Sequence, residues 1–347
     1  MILYRENIGK IAELIDSHTK TFVLTDENSN RLCLGVLREA GLDIERFVKI
    51  VIPAGEQHKN LKTVEYIWSQ LVENKADRKS LLINLGGGML TDIGGFAASC
   101  YQRGIDFINV PTTLLAMIDA AVGGKTGIDF QGLKNQIGLF SQPLAVLILE
   151  DFLATLPKRE LQSGLAEIIK YGFIVDKSFL EASLTENAAN PIDSAFVRKA
   201  IEAKDLITRS DAKEQGLRKI LNFGHTVGHA LETYLIGRGG DIRHGEAVAL
   251  GMIPALYLSE KYCHLDHKWT LYYKSLYAKN FNRFDLSGIA AEDLLEIMRH
   301  DKKNEGGDIR FVLIEDLGKP VYDVVVDLKY ILDSVNYLIE YQKNENR

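Results

Sequence analysis

Two kinds of hydrophobic pattern divide the chain, and the change falls near residue 155. In the first part, short apolar runs rich in β-branched residues alternate with stretches whose apolar positions repeat at helical spacing. The runs at 21–26, 47–56, 80–88 and 106–113 predict strands, and the stretches at 31–41, 61–74 and 91–104 predict helices. This alternation predicts parallel, doubly wound strand–helix units.

After residue 155 the helical spacing dominates. It covers 157–173, 195–210, 222–235 and 246–262, and only 310–327 has the pattern of strands. We therefore expect an α/β protein with two domains. A Rossmann-like nucleotide-binding domain would occupy residues 1–155, and a mostly α-helical C-terminal domain would occupy residues 156–347.

Composition excludes several classes of protein. The chain has 347 residues with a net charge of -6, which argues against nucleic acid as the main partner. No apolar run reaches the roughly 18 residues of a membrane span, and the first residues lack the apolar core of a signal peptide. The three cysteines form no C-x-x-C pair, as suits a reducing compartment. We expect a cytoplasmic protein with no membrane partner.

Two glycine-rich segments suggest anion binding. LINLGGGMLTD joins a buried strand to a helix, an arrangement in which backbone N–H groups can approach a pyrophosphate, although Thr91 replaces the last glycine of the dinucleotide fingerprint. DAAVGGKTGID ends like a P-loop, but Asp119 stands where that motif requires its first glycine. A carboxylate there would face phosphate, so the segment is not a nucleoside-triphosphate cradle. A tight strand–helix turn is an equally good explanation of the first segment.

Histidines and carboxylates in the second half form a candidate metal site. His225 and His229 lie four residues apart, hence on one helix face, and His244 precedes another predicted helix. Thr226 occupies the place of the general-base glutamate of zinc proteases, which excludes that class. Glu167 and Lys170 lie one turn apart between two glycines. A surface histidine pair and a surface ion pair remain alternatives on this pattern alone.

Seven separate blocks of the sequence belong together. They are PAGEQHK, GGGMLTD, YQRGIDFINVPTTLLAMIDAAVGGKTGID, LKNQIG, LQSGLAEIIKYG, LNFGHTVGH and HGEAVALGM. In order and spacing they resemble one family, the 3-dehydroquinate synthases among the sugar-phosphate cyclases, and the resemblance extends over nearly the whole chain.

The resemblance implies NAD and a divalent metal ion, zinc or cobalt, as cofactors. It implies that Glu167, His225 and His244 bind the metal, whereas His229 belongs to the substrate site. The implied substrate is 3-deoxy-D-arabino-heptulosonate 7-phosphate, a sugar-acid phosphate. Transient oxidation, loss of phosphate, reduction and aldol ring closure would convert it to 3-dehydroquinate in aromatic amino acid biosynthesis.

The resemblance also assigns the other site residues. Those expected to contact NAD are Asp26, Glu56, Lys59, Gly87, Gly88, Asp92, Thr112, Thr113, Lys134, Phe152, Thr155 and Leu156. Those expected at the substrate are Asp119, Lys125, Asn135, Lys170, Lys204, Arg218, Asn222, His229 and Lys302, with Arg103 contributed by the neighbouring subunit of a homodimer.

Some positions depart from the family pattern, and two other functions remain open. Thr91 replaces a glycine, Ala120 and Ala121 replace serines, and the segment 237–243 is longer than usual. One alternative is a cyclase of secondary metabolism that makes an inosose or a valiolone from a substrate without a carboxylate. Arg218 argues against it, because a guanidinium suits a carboxylate. The other is a metal-dependent polyol dehydrogenase, which would accumulate NADH.

Overall fold

The computed structural model describes residues 1–131, 133–180, 193–299 and 308–344. The chain divides into two compact units. The first comprises Met1–Pro157 with Lys204–Lys213, and the second comprises Lys158–Ala203 with Glu214–Arg347. Among the described residues, every helix is too short or too polar to cross a membrane.

A six-stranded parallel sheet forms the centre of the first unit. Its strands follow the order β1-β8-β5-β4-β2-β3, and every pairing is parallel. A separate antiparallel pair, β6 and β7, belongs to the same unit. The strands are β1 (Ile2–Tyr4), β2 (Thr21–Asp26), β3 (Val48–Ile52), β4 (Leu81–Gly86), β5 (Asp106–Pro111), β6 (Lys125–Phe130), β7 (Leu133–Phe140) and β8 (Ala145–Ile148).

Helices connect the parallel strands of the first unit. Where one helix was expected over 31–41, the structure has two short ones, α2 and α3, and the prediction is wrong. Asp26 caps α2 by accepting a hydrogen bond from the N–H of Ser29, so the helix begins before 31, and it ends at Cys33. The helices are α1 (Ile8–Asp16), α2 (Glu27–Leu32), α3 (Leu34–Glu39), α4 (Leu61–Glu73) and α5 (Gly88–Cys100).

The core of the first unit explains its apolar runs. Every residue of β4 is buried, because helices cover both faces of a parallel sheet. Helix α5 packs closely on β4 at Gly94, where a Cβ atom would lie 2.1 Å from Oδ1 of Asn84. Gly94 thus provides the close helix–strand approach one turn after Thr91, the position at which the dinucleotide fingerprint has its last glycine.

The hairpin of β6 and β7 was not predicted. Strand β7 has apolar residues such as Leu133, Ile137 and Phe140, but it is exposed along nearly its whole length. A strand without a buried face has no reason to alternate apolar and polar residues, so period-2 analysis does not detect it. The strands β1, at the edge of the sheet, and β8, between β1 and β5, were not predicted either, because they have only three and four residues.

The second unit is mostly helical. Its helix His244–Tyr262 is buried on almost every side and packs against the helices Lys158–Ile174, His225–Gly237, Lys268–Asn280 and Leu328–Asn344. The strands predicted over 310–327 form an antiparallel pair, and the α/β class with a mostly helical second part is confirmed. The remaining elements of the chain are α6 (Lys158–Ile174), α7 (Ser194–Ser210), α8 (His225–Gly237), α9 (His244–Tyr262), α10 (Lys268–Asn280), α11 (Ala291–Arg299), β9 (Arg310–Asp316), β10 (Lys319–Val325) and α12 (Leu328–Asn344).

Candidate active site and metal centre

The strand order of the first unit changes direction between β2 and β4. From β2 the chain moves outward to β3, whereas from β4 it moves the other way, to β5 and later β8. In doubly wound sheets, ligands bind at the carboxyl ends of the strands beside such a reversal. Asp26 ends β2, and the glycines of GGGMLTD follow β4 directly. The sheet thus brings these two predicted NAD contacts to the same edge.

Glycines at the end of β4 permit close packing of backbone. Thr112, which follows β5, donates its N–H to the carbonyl of Gly86 at 2.9 Å. A Cβ atom on Gly88 would lie 2.9 Å from Cβ of Ala120, one of the alanines that replace serines in the family pattern. Gly88 is the first residue of α5, so the amino end of this helix opens at the reversal point, where an anion is favoured.

Lys59, which is itself buried, is the centre of a polar cluster in the first unit. Its Nζ donates to Oδ2 of Asp92 and to Oδ1 of Asn135, each at 2.6 Å, and lies 3.9 Å from Glu56. Glu56 is also 3.8 Å from Nζ of Lys134. Burial acts against the ammonium, but the nearby carboxylates outweigh it and raise the pKa of Lys59. Lys59 therefore keeps its charge and neutralises the site.

Asn135 is held in an unusual backbone conformation. Its φ is +50°, and its N–H donates to Oδ1 of Asp129 at 2.7 Å. The N–H of Asp129 donates in turn to the carbonyl of Lys59 at 2.8 Å. Asp129 thus ties the β6–β7 hairpin to the Lys59 cluster. Asp129 is the last residue of the segment GGKTGID, and no role was predicted for it from the sequence.

The other predicted residues of the first unit lie in several places. Asp119, in the π-helical turn Ala116–Ala120, forms an ion pair with Lys204, and Lys125 is the first residue of β6. Phe152, Thr155 and Leu156 follow β8, at the carboxyl edge of the sheet. Arg103 is different. It precedes β5 and so lies at the amino edge of the sheet, exposed, and the structure does not bring it to the other predicted site residues of its own chain.

In the second unit, close packing of three helices gathers the predicted metal ligands. A Cβ atom on Gly245 of α9 would lie 1.9 Å from the carbonyl oxygen of Ser163 in α6, and one on Gly251 would lie 2.0 Å from that of Gly224, just before α8. Only glycine permits these backbone approaches. They explain both glycines of HGEAVALGM.

The gathered side chains fit a metal ion. Nitrogens of His225, His229 and His244 lie within 4.8 Å of one another. Oε1 of Glu167 lies 3.6 Å from Nε2 of His225 and 4.0 Å from Nε2 of His244. Ligand atoms of a tetrahedral zinc ion are about 3.4 Å apart. Both carboxylate oxygens of Glu167 are buried and accept no hydrogen bond from the described residues, although Lys170 forms an ion pair with one of them. A cation would satisfy the other.

Two of the three histidines have their second ring nitrogen engaged by an acceptor. Nδ1 of His225 lies 3.0 Å from the carbonyl oxygen of Phe223, and Nδ1 of His244 lies 3.3 Å from Oε2 of Glu232. We assign the proton to Nδ1 in each ring, because carbonyl and carboxylate oxygens only accept. The lone pair of each Nε2 then faces Glu167, as a metal ligand requires. Sequence analysis missed Glu232, although its position seven residues after His225 puts it on the same helix face.

An arginine clamp fixes the loop before His244. Arg159 of α6 donates to both carboxylate oxygens of Glu246, each at 2.7 Å, and also to a carboxylate oxygen and the carbonyl of Asp241. The N–H of Arg243 donates to Glu246 at 2.8 Å. These hydrogen bonds therefore fix the start of α9, although the segment 237–243 is longer than usual in the family. Sequence analysis did not identify this clamp.

Arg218 and Asn222 are further predicted site residues of this unit. Arg218 is only 2% exposed and belongs to the short helix Leu217–Asn222. Asn222 donates to Oε1 of Glu214 at 2.9 Å. Lys302 lies outside the described residues.

Comparison with known proteins identifies the family. The family description "3-dehydroquinate synthase N-terminal" matches residues 49–163, and "3-dehydroquinate synthase C-terminal" matches residues 164–304. The chain belongs to the 3-dehydroquinate synthase family. The resemblance expected from the sequence blocks is thereby confirmed.

Relatives agree over most of the chain. The 3-dehydroquinate synthase of Parabacteroides distasonis is 42% identical over 341 residues, which cover 93% of this chain and 92% of the relative. That of Listeria innocua is 43% identical over 311 residues, 88% of this chain and 84% of the relative. Identity at this level extends through both halves, so the family assignment does not depend on one domain.

Solved structures show the same fold. A 2-epi-5-epi-valiolone synthase from Streptomyces hygroscopicus, with NAD+ and Zn2+ bound, superposes with a TM-score of 0.86 and 25% identity, covering 98% of this chain and 96% of that one. A 2-deoxy-scyllo-inosose synthase in complex with carbaglucose-6-phosphate, NAD+ and Co2+ gives 0.83 and 23%, with the same coverage. A probable glycerol dehydrogenase from Sinorhizobium meliloti gives 0.62 and 18% over 99% and 97% of the two chains. The fold is shared by the 3-dehydroquinate synthase family and by both alternative classes.

Proposed function

We propose that this chain is a 3-dehydroquinate synthase that converts 3-deoxy-D-arabino-heptulosonate 7-phosphate to 3-dehydroquinate and inorganic phosphate, with NAD and a divalent metal ion, zinc or cobalt, as cofactors. Family membership supports the proposal. The observation that carries it is the buried Glu167 carboxylate, which faces Nε2 of His225 and His244 in a unit that also buries Arg218. This combination provides for a metal ion and for a carboxylate-bearing substrate.

The proposed metal ligands are Glu167, His225 and His244, with His229 as a substrate-site residue. A set of three histidines would also fit by distance. The buried Glu167 supports the set that contains it, because Lys170 pairs with Oε2 only, and a metal ion would satisfy Oε1, which accepts no hydrogen bond from the described residues. Measurement of the zinc bound per chain in two variants distinguishes the two sets of proposed ligands. Glu167→Gln should lower bound zinc per chain, and His229→Ala should leave it near one.

When bound, the two cofactors supply reversible hydride acceptance and stabilisation of negative charge on a substrate hydroxyl. The residues of the second unit then have distinct roles. Arg218 would hold the substrate carboxylate through paired N–H donors, and Lys170 would balance negative charge beside the ligands. His229 would exchange a proton with a substrate hydroxyl, and the nearness of its ring to those of His225 and His244 supports this role.

The residues of the first unit serve the nucleotide and the phosphate. The amino end of α5 and the glycines before it would accept the pyrophosphate of NAD, and Asp26 a ribose hydroxyl. The other residues expected to contact NAD are proposed from the family resemblance. Lys125 and Lys204 are proposed from it as substrate-site residues. Lysines near the departing phosphate would stabilise its growing charge, so the protein acts mainly by positioning and neutralising.

One assay tests the function against both alternatives. The purified chain is incubated with NAD+, zinc and the heptulosonate phosphate while inorganic phosphate and absorbance at 340 nm are followed. We expect phosphate release without net NADH. NADH accumulation without phosphate would establish the dehydrogenase instead. Equal turnover of sedoheptulose 7-phosphate, which lacks the carboxylate, would establish the secondary-metabolism cyclase, and Arg218→Lys should impair turnover of the carboxylated substrate selectively.

We also propose a homodimer in which Arg103 of one subunit serves the phosphate site of the other. The exposed position of Arg103 at the amino edge of its own sheet supports this arrangement. Mixing Arg103→Ala with Arg218→Ala subunits should restore up to about a quarter of wild-type sites, if subunits exchange and one site is then intact in each mixed dimer. A sedimentation measurement that finds only monomers would refute the dimer. The cytoplasmic location stays a prediction.

A further inference from the structure

His244 depends on contacts from other elements for the direction of its ring. It is the first residue of α9, so the helix continues from it on one side only. The arginine clamp fixes the backbone on the other side, through Glu246 and Asp241. Neither contact acts on the imidazole. A ligand whose ring can rotate about its side-chain bonds binds a metal less well, because the correct rotamer must be selected each time.

Glu232 provides a charged contact on the ring itself. It projects from α8, is 3% exposed, and places Oε2 3.3 Å from Nδ1 of His244. A carboxylate that only accepts hydrogen bonds holds the ring proton on Nδ1, and Nε2 then faces Glu167 across 4.0 Å. His225 is oriented by a neutral carbonyl instead, that of Phe223. The charged partner of His244 also makes its imidazole a stronger electron donor.

We propose that Glu232 is a positioning residue of the metal site, which sets the tautomer and ring direction of His244 and strengthens it as a ligand. The inference rests on the proposed function, because it assumes the metal ion of that proposal. Glu232 would act through the ring of His244 and not as a ligand itself.

The test compares two substitutions with a matched control. Glu232→Gln keeps the size of the side chain and an acceptor oxygen but removes the charge, whereas Glu232→Ala removes both. The control is Asp293→Asn on α11, which alters a carboxylate that accepts from the hydroxyl of Tyr234 on the same α8 at 3.2 Å. The control therefore loosens the support of α8 without touching His244. Zinc affinity is measured by competition with a chromogenic chelator, and the cobalt form by its visible spectrum.

We expect zinc affinity to fall about 10- to 100-fold in Glu232→Ala and by about 3- to 10-fold in Glu232→Gln, with a shifted cobalt spectrum in both. The control should keep wild-type affinity and spectrum. If wild-type protein binds no zinc, the proposed function fails. If it binds one zinc and Glu232→Gln has wild-type affinity and spectrum, the inference on Glu232 is overturned. The Gln variant alone decides the matter if Glu232→Ala does not fold.

Discussion

The clamp between Arg159 and Glu246 gives a quantitative prediction about stability. Glu246 is buried and accepts three hydrogen bonds, two from Arg159 and one from the N–H of Arg243. The substitution Arg159→Met keeps much of the apolar stem of the side chain and removes the guanidinium. It leaves a buried carboxylate with one backbone donor among the described residues.

The magnitude follows from the burial of the pair. Breaking a fully buried ion pair by removing one partner costs about 3–5 kcal/mol. The Arg159 side chain is 31% exposed, so water replaces part of what is lost, and we expect a decrease of about 3 kcal/mol in the free energy of unfolding. For a unit of this size, that corresponds to a decrease of about 6–12 °C in Tm.

The acid side of the pH profile gives a second signature. The hydrogen bond from Arg159 lowers the pKa of Asp241 from its ordinary value of 3.8. A carboxylate with a lowered pKa stabilises the fold above the unfolded value, and this contribution is lost as the pH falls through the folded value. The difference in stability between wild type and Arg159→Met should therefore be full near pH 7 and should shrink below about pH 4.

The assay is urea unfolding of metal-free protein followed by circular dichroism, with Arg159→Met and Glu246→Gln alone and combined. We expect a coupling energy of at least about 1.5 kcal/mol between the two sites. Arg299→Met on α11 is the matched control, because its ion pair with Glu296 is exposed and should contribute less than about 1 kcal/mol. If Arg159→Met costs no more than this control, or if its cost does not change with pH, the reasoning about the clamp is refuted.

Three further substitutions or treatments test other parts of the structure. Gly245→Ala should prevent close packing of α9 on α6, because its Cβ would meet the carbonyl of Ser163, and calorimetry should show a large loss of stability or no folded protein. Lys59→Met should weaken NAD binding, measured by calorimetric titration, and should destabilise the protein more at pH 8 than at pH 5. The reason is that burial raises the pKa of Asp92, so the unpaired carboxylate can take up a proton at the lower pH. Burial raises the pKa of Cys33 to about 11, so peptide mass spectrometry should show this thiol unmodified after iodoacetamide treatment at pH 8 that fully alkylates free cysteine.

The local pattern of apolar residues was sufficient to predict most strands of the parallel sheet in the first unit. The strands β2, β4 and β5 were predicted because each is a short apolar run that is buried along nearly its whole length, whereas β3, at the edge, was predicted from an apolar run of which only Ile50 and Ile52 are buried. The sequence blocks were sufficient to identify the family, because they preserve both its residue types and their spacing. The hairpin of β6 and β7 carried no such mark, because its second strand is exposed.

The sequence by itself determined that His225 and His229 share a helix face, because that relation depends only on the period of an α-helix. The tertiary structure decided which groups distant in sequence lie close together, although the family resemblance had implied that Glu167 joins His225. Glu167 precedes His225 by 58 residues, and Arg159 precedes Glu246 by 87. Helices that approach each other closely at glycine residues bring these groups together. The partner of each helix is selected by the complementary shapes of the packed surfaces, and the period of apolar residues along one helix does not indicate that partner.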